Sequence, residues 1–487
     1  MATRQSPRFK RKTPREEETT PTPEPEKASM DYESDDDSVG EPSAEDIAKC
    51  DVYALNGTTS RLYKSIIKQH KAENLVVCPI AIFNDLHLAY LLSKGQTKDE
   101  LQKAFFGFDQ QLDAKSGVST GSKGEGLQAN VQQIQRLAST GSGAKNAPFQ
   151  LLTEGMLVVS SHLELSTKNN LVQVDWNDKD AARSKINRQL QGKTEKRVAE
   201  LVKTEHIPGK NNSGLLVSAA RFSANWESKF LSKSRTAYAM PSRDFMDGLP
   251  MSMEDFHNAD GSVKKVLTVH LEEKIMLTRD EDLKVTILEL PFKKYAMNMI
   301  VVLPDDTTSN GLRHFEENIN HQTFEILQKN AQMPLTRVYL PKFNVDSEVS
   351  LNKSLTDIGV KHLFDAGGLF SSNTDWADLT SSGDALTHIT DVLHGASFSV
   401  SGECDAPAQQ NKSGSKKAKR DDGNDTNGNI PPQCVQLESA RFATGMHINR
   451  PFFFMVQSSW PTIWSFMGHV QHLEEADSAV WRHLTLP

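Results

Sequence analysis

A serine flanked by glycines is the first feature of this sequence that could carry out covalent chemistry. Gly117, Ser119 and Gly121 match the G-x-S-x-G pattern, in which a nucleophilic serine stands on a sharp turn between a buried strand and a helix. Here the pattern lies in a segment rich in Gly and Ser, with neither element beside it. We therefore interpret it as a chance match that gives no evidence of a hydrolase.

Two other patterns suggest phosphate or metal chemistry, and both are incomplete. Gly-Lys-Thr at residues 192–194 resembles the end of a phosphate-binding loop, but Asn187 stands where an upstream glycine is needed. His469 and His472 flank a late strand without a third ligand, and no H-E-x-x-H motif occurs. We therefore expect no catalytic residues, no metal site and no cofactor, and predict that the chain is not an enzyme.

The composition excludes several classes of protein. The 487 residues are 37% apolar and 24% charged, with a net charge of -8. Apolar runs such as residues 451–456 are far too short to cross a bilayer, so a membrane-spanning protein is excluded. Four cysteines without C-x-x-C spacing exclude a disulfide scaffold and a four-cysteine zinc ribbon. The negative charge argues against a protein that binds mainly to nucleic-acid phosphates.

Charge also separates tail-like segments from the folded part of the chain. Residues 1–15 carry basic side chains and no acid, and residues 16–46 are strongly acidic. With so few apolar residues, residues 1–49 are predicted to be a disordered, charged N-terminal tail. Residues 110–147 are a low-complexity insert, and residues 405–433 are almost wholly polar. A segment this long inside a compact domain is either functional or disordered.

Between these segments, helical and strand patterns alternate. Apolar residues at helical spacing predict core-facing helices around residues 62–67, 82–90 and 312–319. The predicted strands are a hairpin formed by residues 285–290 and 297–303, and further strands at residues 338–345, 396–400 and 452–456. The fold class is therefore mixed α+β with large sheets.

Several motifs, in order along the chain, resemble those of the serpin family. Residues 74–82 are similar to the family's strand and helix entry, and residues 218–226 to its Asn-Ala-x-x-Phe-x-x-x-Trp strand. Further matches lie at residues 94–97, 288–292, 340–343, 355–359, 391–394, 449–454 and 466–468. The resemblance implies one serpin domain at residues 50–487, with three β-sheets and about eight or nine helices. It also implies an exposed, extended reactive-centre loop at residues 402–441.

In the family's inhibitors this loop is bait for a serine protease, and after cleavage it inserts as an extra strand into the main sheet. The family's inhibitory hinge reads Gly-Thr-Glu-Ala-Ala-Ala. The hinge implied here consists of Gly402, Glu403, Cys404, Asp405, Ala406 and Pro407. Pro407 would remove a hydrogen bond from a central strand, and Asp405 would bury an ionisable group. We therefore predict a non-inhibitory protein whose loop has a binding or regulatory role.

The resemblance also points to the residues beneath the sheet opening, called the shutter and breach. The family has serines around the proline there, and an asparagine on the facing strand bonded to a histidine. This chain keeps His394 but offers Cys78 and Ser218, and because cysteine is a weak donor we expect fewer strong hydrogen bonds. Neutral drift in a core that still packs is the alternative. Lys342 stands where the family's ion pair with Glu403 would form.

Counting along the loop gives two candidate scissile bonds. The forward count ends near Arg420 and Asp421, and the backward count near Arg441 and Phe442. Each offers a basic residue to a trypsin-like or proprotein-convertase-like serine protease, so an active suicide-substrate inhibitor is the alternative function. The basic run at residues 416–420 also resembles a nuclear localisation sequence. A nuclear or nucleic-acid-associated protein using its basic clusters is therefore the alternative from another class.

Two cysteines, Cys404 and Cys434, bracket the loop, and a disulfide between them would oppose insertion. The basic start is not followed by the apolar segment of a signal peptide, so we expect a cytoplasmic or nuclear protein with both thiols reduced. An extracellular location, as for many serpins, is the alternative. We expect a monomer whose partner is a serine protease if it is inhibitory, and otherwise an unknown protein. Neither a membrane nor a nucleic acid is an expected partner.

Overall fold

The computed structural model describes residues 44–106, 149–163, 170–209, 212–224, 251–292, 297–365, 386–400, 445–458 and 462–476. The predicted tail up to residue 43, the low-complexity insert and the predicted loop at residues 402–441 lie outside the described residues. So do the Ser119 pattern and the two loop cysteines.

The described chain begins with three helices and one short strand. The first six residues of helix α1 (Ala44–Ile67) fall within the predicted tail. Strand β1 (Leu75–Val77) leads into α2 (Pro79–Leu92), which has Pro79 in its first turn, where a missing N–H leaves no bond unmade. Helix α3 (Gly95–Phe106) follows. The predicted helices around residues 62–67 and 82–90 are confirmed in α1 and α2.

The rest of the chain alternates strands with short helices. In chain order these are β2 (Phe149–Ser160), β3 (Leu171–Val174), α4 (Lys179–Lys193), a 3-10 turn (Thr204–His206), β4 (Ser213–Ala224), β5 (Met251–His257), β6 (Val263–Lys274), β7 (Met276–Asp280), β8 (Val285–Pro291), β9 (Met297–Pro304), α5 (Ser309–Asn318), α6 (His321–Lys329), β10 (Leu335–Pro341), β11 (Asn344–Ser350), α7 (Asn352–Asp357), β12 (His388–Val400), β13 (Met446–His447), β14 (Phe452–Ser458) and β15 (Trp464–Val470).

The strands form three sheets, as predicted. A six-stranded sheet has the order β1-β15-β14-β9-β8-β7, a four-stranded sheet the order β13-β10-β6-β5, and a five-stranded sheet the order β11-β12-β4-β2-β3. Strands β8 and β9 are antiparallel, which confirms the hairpin. Residues 338–345, predicted as one strand, instead form parts of β10 and β11 in two different sheets, broken at Lys342 and Phe343.

The five-stranded sheet is buried on both faces. Strand β4 alternates between them: Leu216 and Phe222 face the main core with the six-stranded sheet, whereas Leu215 and Val217 face a second core. Helix α4 closes that second core with Ile186. Because successive side chains of a strand point to opposite faces, a strand inserted beside this part of β4 would meet both cores.

Candidate functional site at the seam between β4 and β12

The two central strands of the five-stranded sheet run parallel and are paired along their whole length. The pairing, called the seam here, extends from His388 opposite Ser213 to Val400 opposite Ala224. Strand β12 ends at Val400, and the predicted reactive loop follows at once. The seam is therefore the boundary that a strand entering between β4 and β12 would have to open.

A histidine ties the seam to the helix beneath it. His394 lies directly opposite Ser218 in the pairing, and its Nδ1 atom is 2.9 Å from the Ser218 hydroxyl. The backbone N–H of Cys78, at the start of α2, donates to His394 Nε2 at 2.9 Å. Since Nε2 accepts, the neutral ring carries its proton on Nδ1 and donates it to Ser218. One imidazole thus links β12, β4 and α2.

Burial fixes the ionisation state of this group. His394 has no exposed surface, and burial lowers its pKa from 6.5 to about 3, so the ring is neutral at pH 7. Burial also raises the pKa of the Cys78 thiol to about 12. The hydrogen bond from residue 78 comes from the backbone, so the poor donor strength of the thiol does not weaken this link. Sequence reasoning considered only the side chain.

An aspartate in the same region was missed by the sequence analysis. Asp85 follows Ile82 by three residues and precedes Ala89 by four, so it lies within the buried stripe of α2. Its exposed fraction is 1%. Burial raises the pKa of its carboxyl group well above the usual value, although a hydrogen bond from Ser218 partly opposes the rise. The available signal was its position in an apolar stripe at helical spacing.

The two late histidines lie in different surroundings. His469 on β15 is buried, and its Nδ1 lies 2.6 Å from Glu316 Oε1, an oxygen that also accepts from the Tyr63 hydroxyl at 2.6 Å. His472 is 4.0 Å from Asp260 near the surface. Within the described ranges, no group of three or more His, Cys, Asp or Glu side chains is placed to hold a metal ion.

Of the other predicted site residues, only Lys342 lies in the described part of the chain. Lys342 lies half-buried between β10 and β11, with its backbone N–H donating to Leu267. Its predicted partner Glu403, the hinge and both scissile candidates fall outside the described residues. Residues 192–194 end α4, whereas a phosphate loop precedes its helix, so that pattern has no phosphate-binding geometry. Cys78, Ser218 and His394 are thus the predicted residues that meet.

The described chain resumes after the predicted loop at the four-stranded sheet. Strand β13 pairs with β10, where the His447 ring stacks on Tyr339 with 4.0 Å between centroids. The other side of Tyr339 packs edge to face against His270, 4.7 Å away. The loop therefore connects the end of the five-stranded sheet to an aromatic cluster on the four-stranded sheet. None of the described helices is both long and apolar enough to cross a membrane.

Comparison with known proteins agrees with this architecture. The family model described as Serpin (serine protease inhibitor) matches residues 53–473. The human leukocyte elastase inhibitor is 25% identical over 352 residues, which cover 70% of this chain and 83% of that protein. Leukocyte elastase inhibitor A from Rattus norvegicus is 24% identical over 416 residues, covering 84% and 96%.

Solved structures show the same fold. Uncleaved ovalbumin superposes with a TM-score of 0.64 and 17% identity, covering 87% of this chain and 99% of ovalbumin. Maspin gives a TM-score of 0.63 at 18% identity, covering 88% and 100%. The predicted α+β serpin fold is confirmed by these likenesses together with the three sheets. The chain belongs to the serpin family.

Proposed function

We propose that this serpin does not inhibit proteases by loop insertion, is not an enzyme, and uses its long loop as a binding or regulatory segment. The proposal is carried by one combination: a hinge that contains Pro407, beside a seam that is buried on both faces.

The geometry of the seam defines what an inserting loop must do. Strand β12 ends at Val400, beside Ala224 of β4, so a loop that turns back would enter from this end and run antiparallel to both strands. Each entering residue would have to replace hydrogen bonds that β4 and β12 now make with each other. The hinge residues would enter first, because they directly follow β12.

Pro407 and Asp405 meet these requirements poorly. Pro407 has no N–H, so a carbonyl on a neighbouring strand would lose its donor, at a cost of about 1–3 kcal/mol in a buried site. Asp405 is two residues away and would point to the same face. Near that end one face carries Arg221 and Ser397, whereas Phe222 and Phe398 are fully buried on the other. An unpaired carboxylate there would cost several kcal/mol or become protonated.

Mixing the protein with trypsin tests the proposal directly. We expect ordinary cleavage in the loop, no SDS-resistant complex, and little change in melting temperature after cleavage. The matched variant carries Asp405→Ala and Pro407→Ala, which removes both obstacles without altering either scissile candidate. A stable complex of the unmodified protein near 1:1 stoichiometry would show that the proposal is wrong.

The second candidate is an active inhibitor of a basic-specific serine protease. It is favoured by relatives named as leukocyte elastase inhibitors and by the basic residues Arg420 and Arg441 in the loop. Mass spectrometry of the trypsin-treated protein would identify the bond cleaved. Under this candidate, Arg420→Ala or Arg441→Ala abolishes complex formation, whereas under the first proposal both variants only move or slow the cleavage.

A further inference from the structure

Asp85 is a buried carboxyl group that the proposed function does not use. It lies on the face of α2 that packs against β2 and β4, among Ile82, Leu86 and Ala89, which are also buried. Gly155 of β2 leaves the space that the carboxyl group occupies, because a Cβ atom built there would lie 2.0 Å from Asp85 Oδ1. The carboxyl group is thus wedged beneath the sheet beside the seam.

Asp85 ends a chain of directed hydrogen bonds that crosses the seam. The Cys78 N–H donates to His394, and the His394 Nδ1–H donates to the Ser218 hydroxyl. The Ser218 hydroxyl can then donate its own proton to the Asp85 carboxyl group. This hydrogen bond partly opposes the rise in the pKa of Asp85. The second carboxyl oxygen, Oδ2, is buried without a hydrogen-bond partner. Such a site suits a neutral carboxyl group better than a carboxylate.

Among the described residues, the elements packed against α2 supply no cation to balance a charge on Asp85. Glu154 of β2 raises its pKa further through like charge, and His394 of β12 is neutral. The remaining ionisable groups on the packed elements are bonded elsewhere or exposed: Glu100, which bonds His362; Lys98, over the Tyr90 ring; His469, paired with Glu316; Arg221, paired with Glu195; and the exposed Asp99 and Lys103.

We propose that Asp85 makes closure of the seam between β4 and β12 depend on pH, with the seam held most tightly while this carboxyl group is protonated. The protonated group fits the buried space under Gly155. Ionisation favours a state in which the strands part and water reaches the carboxylate. The inference concerns the seam itself and does not depend on whether the loop inserts.

The pH dependence follows from linkage. Because the pKa of Asp85 is higher in the closed seam than its ordinary value of 3.8, its contribution to closure is complete below that value. The contribution is lost as pH rises towards the closed-state pKa. His394 acts oppositely: its pKa of about 3 lies below the ordinary 6.5, so its contribution is complete above pH 6.5 and is lost on acidification. Removing Asp85 alone separates the two.

Hydrogen exchange of the β4 and β12 amides in the full chain tests the proposal, with Asp85→Asn compared to the unmodified protein at each pH. At equal pH the intrinsic exchange rate of an amide is the same in both proteins, so it cancels in the ratio of their exchange rates. We expect similar protection near pH 4. Above pH 4, the seam amides of the unmodified protein should exchange faster than those of the variant. The ratio of the two exchange rates should grow by up to about tenfold for each pH unit until the closed-state pKa is reached.

Asp357→Asn is the control, since this exposed carboxylate also accepts from a serine hydroxyl, that of Ser65, at 2.6 Å. For Asp357→Asn, the ratio of its exchange rate at the seam to that of the unmodified protein should not change with pH. A pH-independent ratio for Asp85→Asn would overturn the proposal. If that variant fails to fold, infrared spectroscopy of the unmodified protein decides: the carbonyl stretch of a protonated carboxyl group must persist above pH 5 and disappear together with amide protection. Its absence at pH 5 would also overturn the proposal.

Discussion

Replacing His394 by alanine should destabilise the protein more than a typical point substitution, because one ring joins three elements. The ring accepts from the backbone N–H of Cys78 and donates to the Ser218 hydroxyl, each at 2.9 Å. His394→Ala removes both partners at once in a region without exposed surface. Alanine cannot replace either bond, and water would have to enter a fully buried region to do so.

The size of the effect can be estimated from the two groups left behind. A buried polar group that loses its partner costs about 1–3 kcal/mol. The Cys78 N–H loses its acceptor completely. Ser218 retains its hydrogen bond to Asp85, so the cost at Ser218 lies at the lower end of that range. We expect a loss of about 2–4 kcal/mol in the free energy of unfolding at pH 7.5. His394→Gln is the matched control, because its amide can accept and donate, and it should recover part of the loss.

Urea unfolding, followed by tryptophan fluorescence to which the buried Trp176 and Trp464 contribute, measures these differences. Its pH dependence provides a second readout. The lowering of the His394 pKa to about 3 corresponds to roughly 5 kcal/mol of stability that is complete above pH 6.5 and lost between there and pH 3. Neither His394 variant should show this loss of stability on acidification. A His394→Ala protein within about 1 kcal/mol of the unmodified protein, with the same acid dependence, would refute the reasoning.

Two further predictions concern buried backbone and thiol groups. Because burial raises its pKa to about 12, Cys78 should resist iodoacetamide at pH 8 in the native protein and react after urea unfolding, as read by peptide mass spectrometry. Gly468→Ala would place a Cβ atom 2.0 Å from the Leu75 carbonyl oxygen, so it should lower stability by about 1–3 kcal/mol. Gly192→Ala, with open space around the new methyl group, is its control and should not be destabilised.

The sequence predicted elements best where one pattern covered a whole element. Apolar residues at helical spacing located α1 and α2, and the two apolar runs around residues 291–296 located the hairpin of β8 and β9. The prediction of one strand at residues 338–345 was wrong because both β10 and β11 bury alternate residues there. A local pattern does not reveal that the chain leaves one sheet and enters another at Lys342 and Phe343.

The candidate site was partly predictable for a different reason. The resemblance selected Cys78, Ser218 and His394, which do meet, but no local pattern reports a contact between residues 176 positions apart. The participation of the Cys78 backbone could not be read from a side chain. Asp85 escaped notice because a single aspartate in a helix is usually exposed, and its burial depends on the missing side chain of Gly155 in another element.

Opening the seam and filling it are separate steps with different chemical requirements. Opening breaks the ladder between β4 and β12 and the bond from His394 to Ser218. Filling needs a segment that donates from every backbone position and tolerates burial on both faces, which a hinge with Asp405 and Pro407 does not offer. A seam that opened without being filled would expose two unpaired strand edges inside a large sheet, which are templates for a strand from another chain. We therefore expect the hydrogen bonds around His394 to protect against foreign strands as well as to contribute stability.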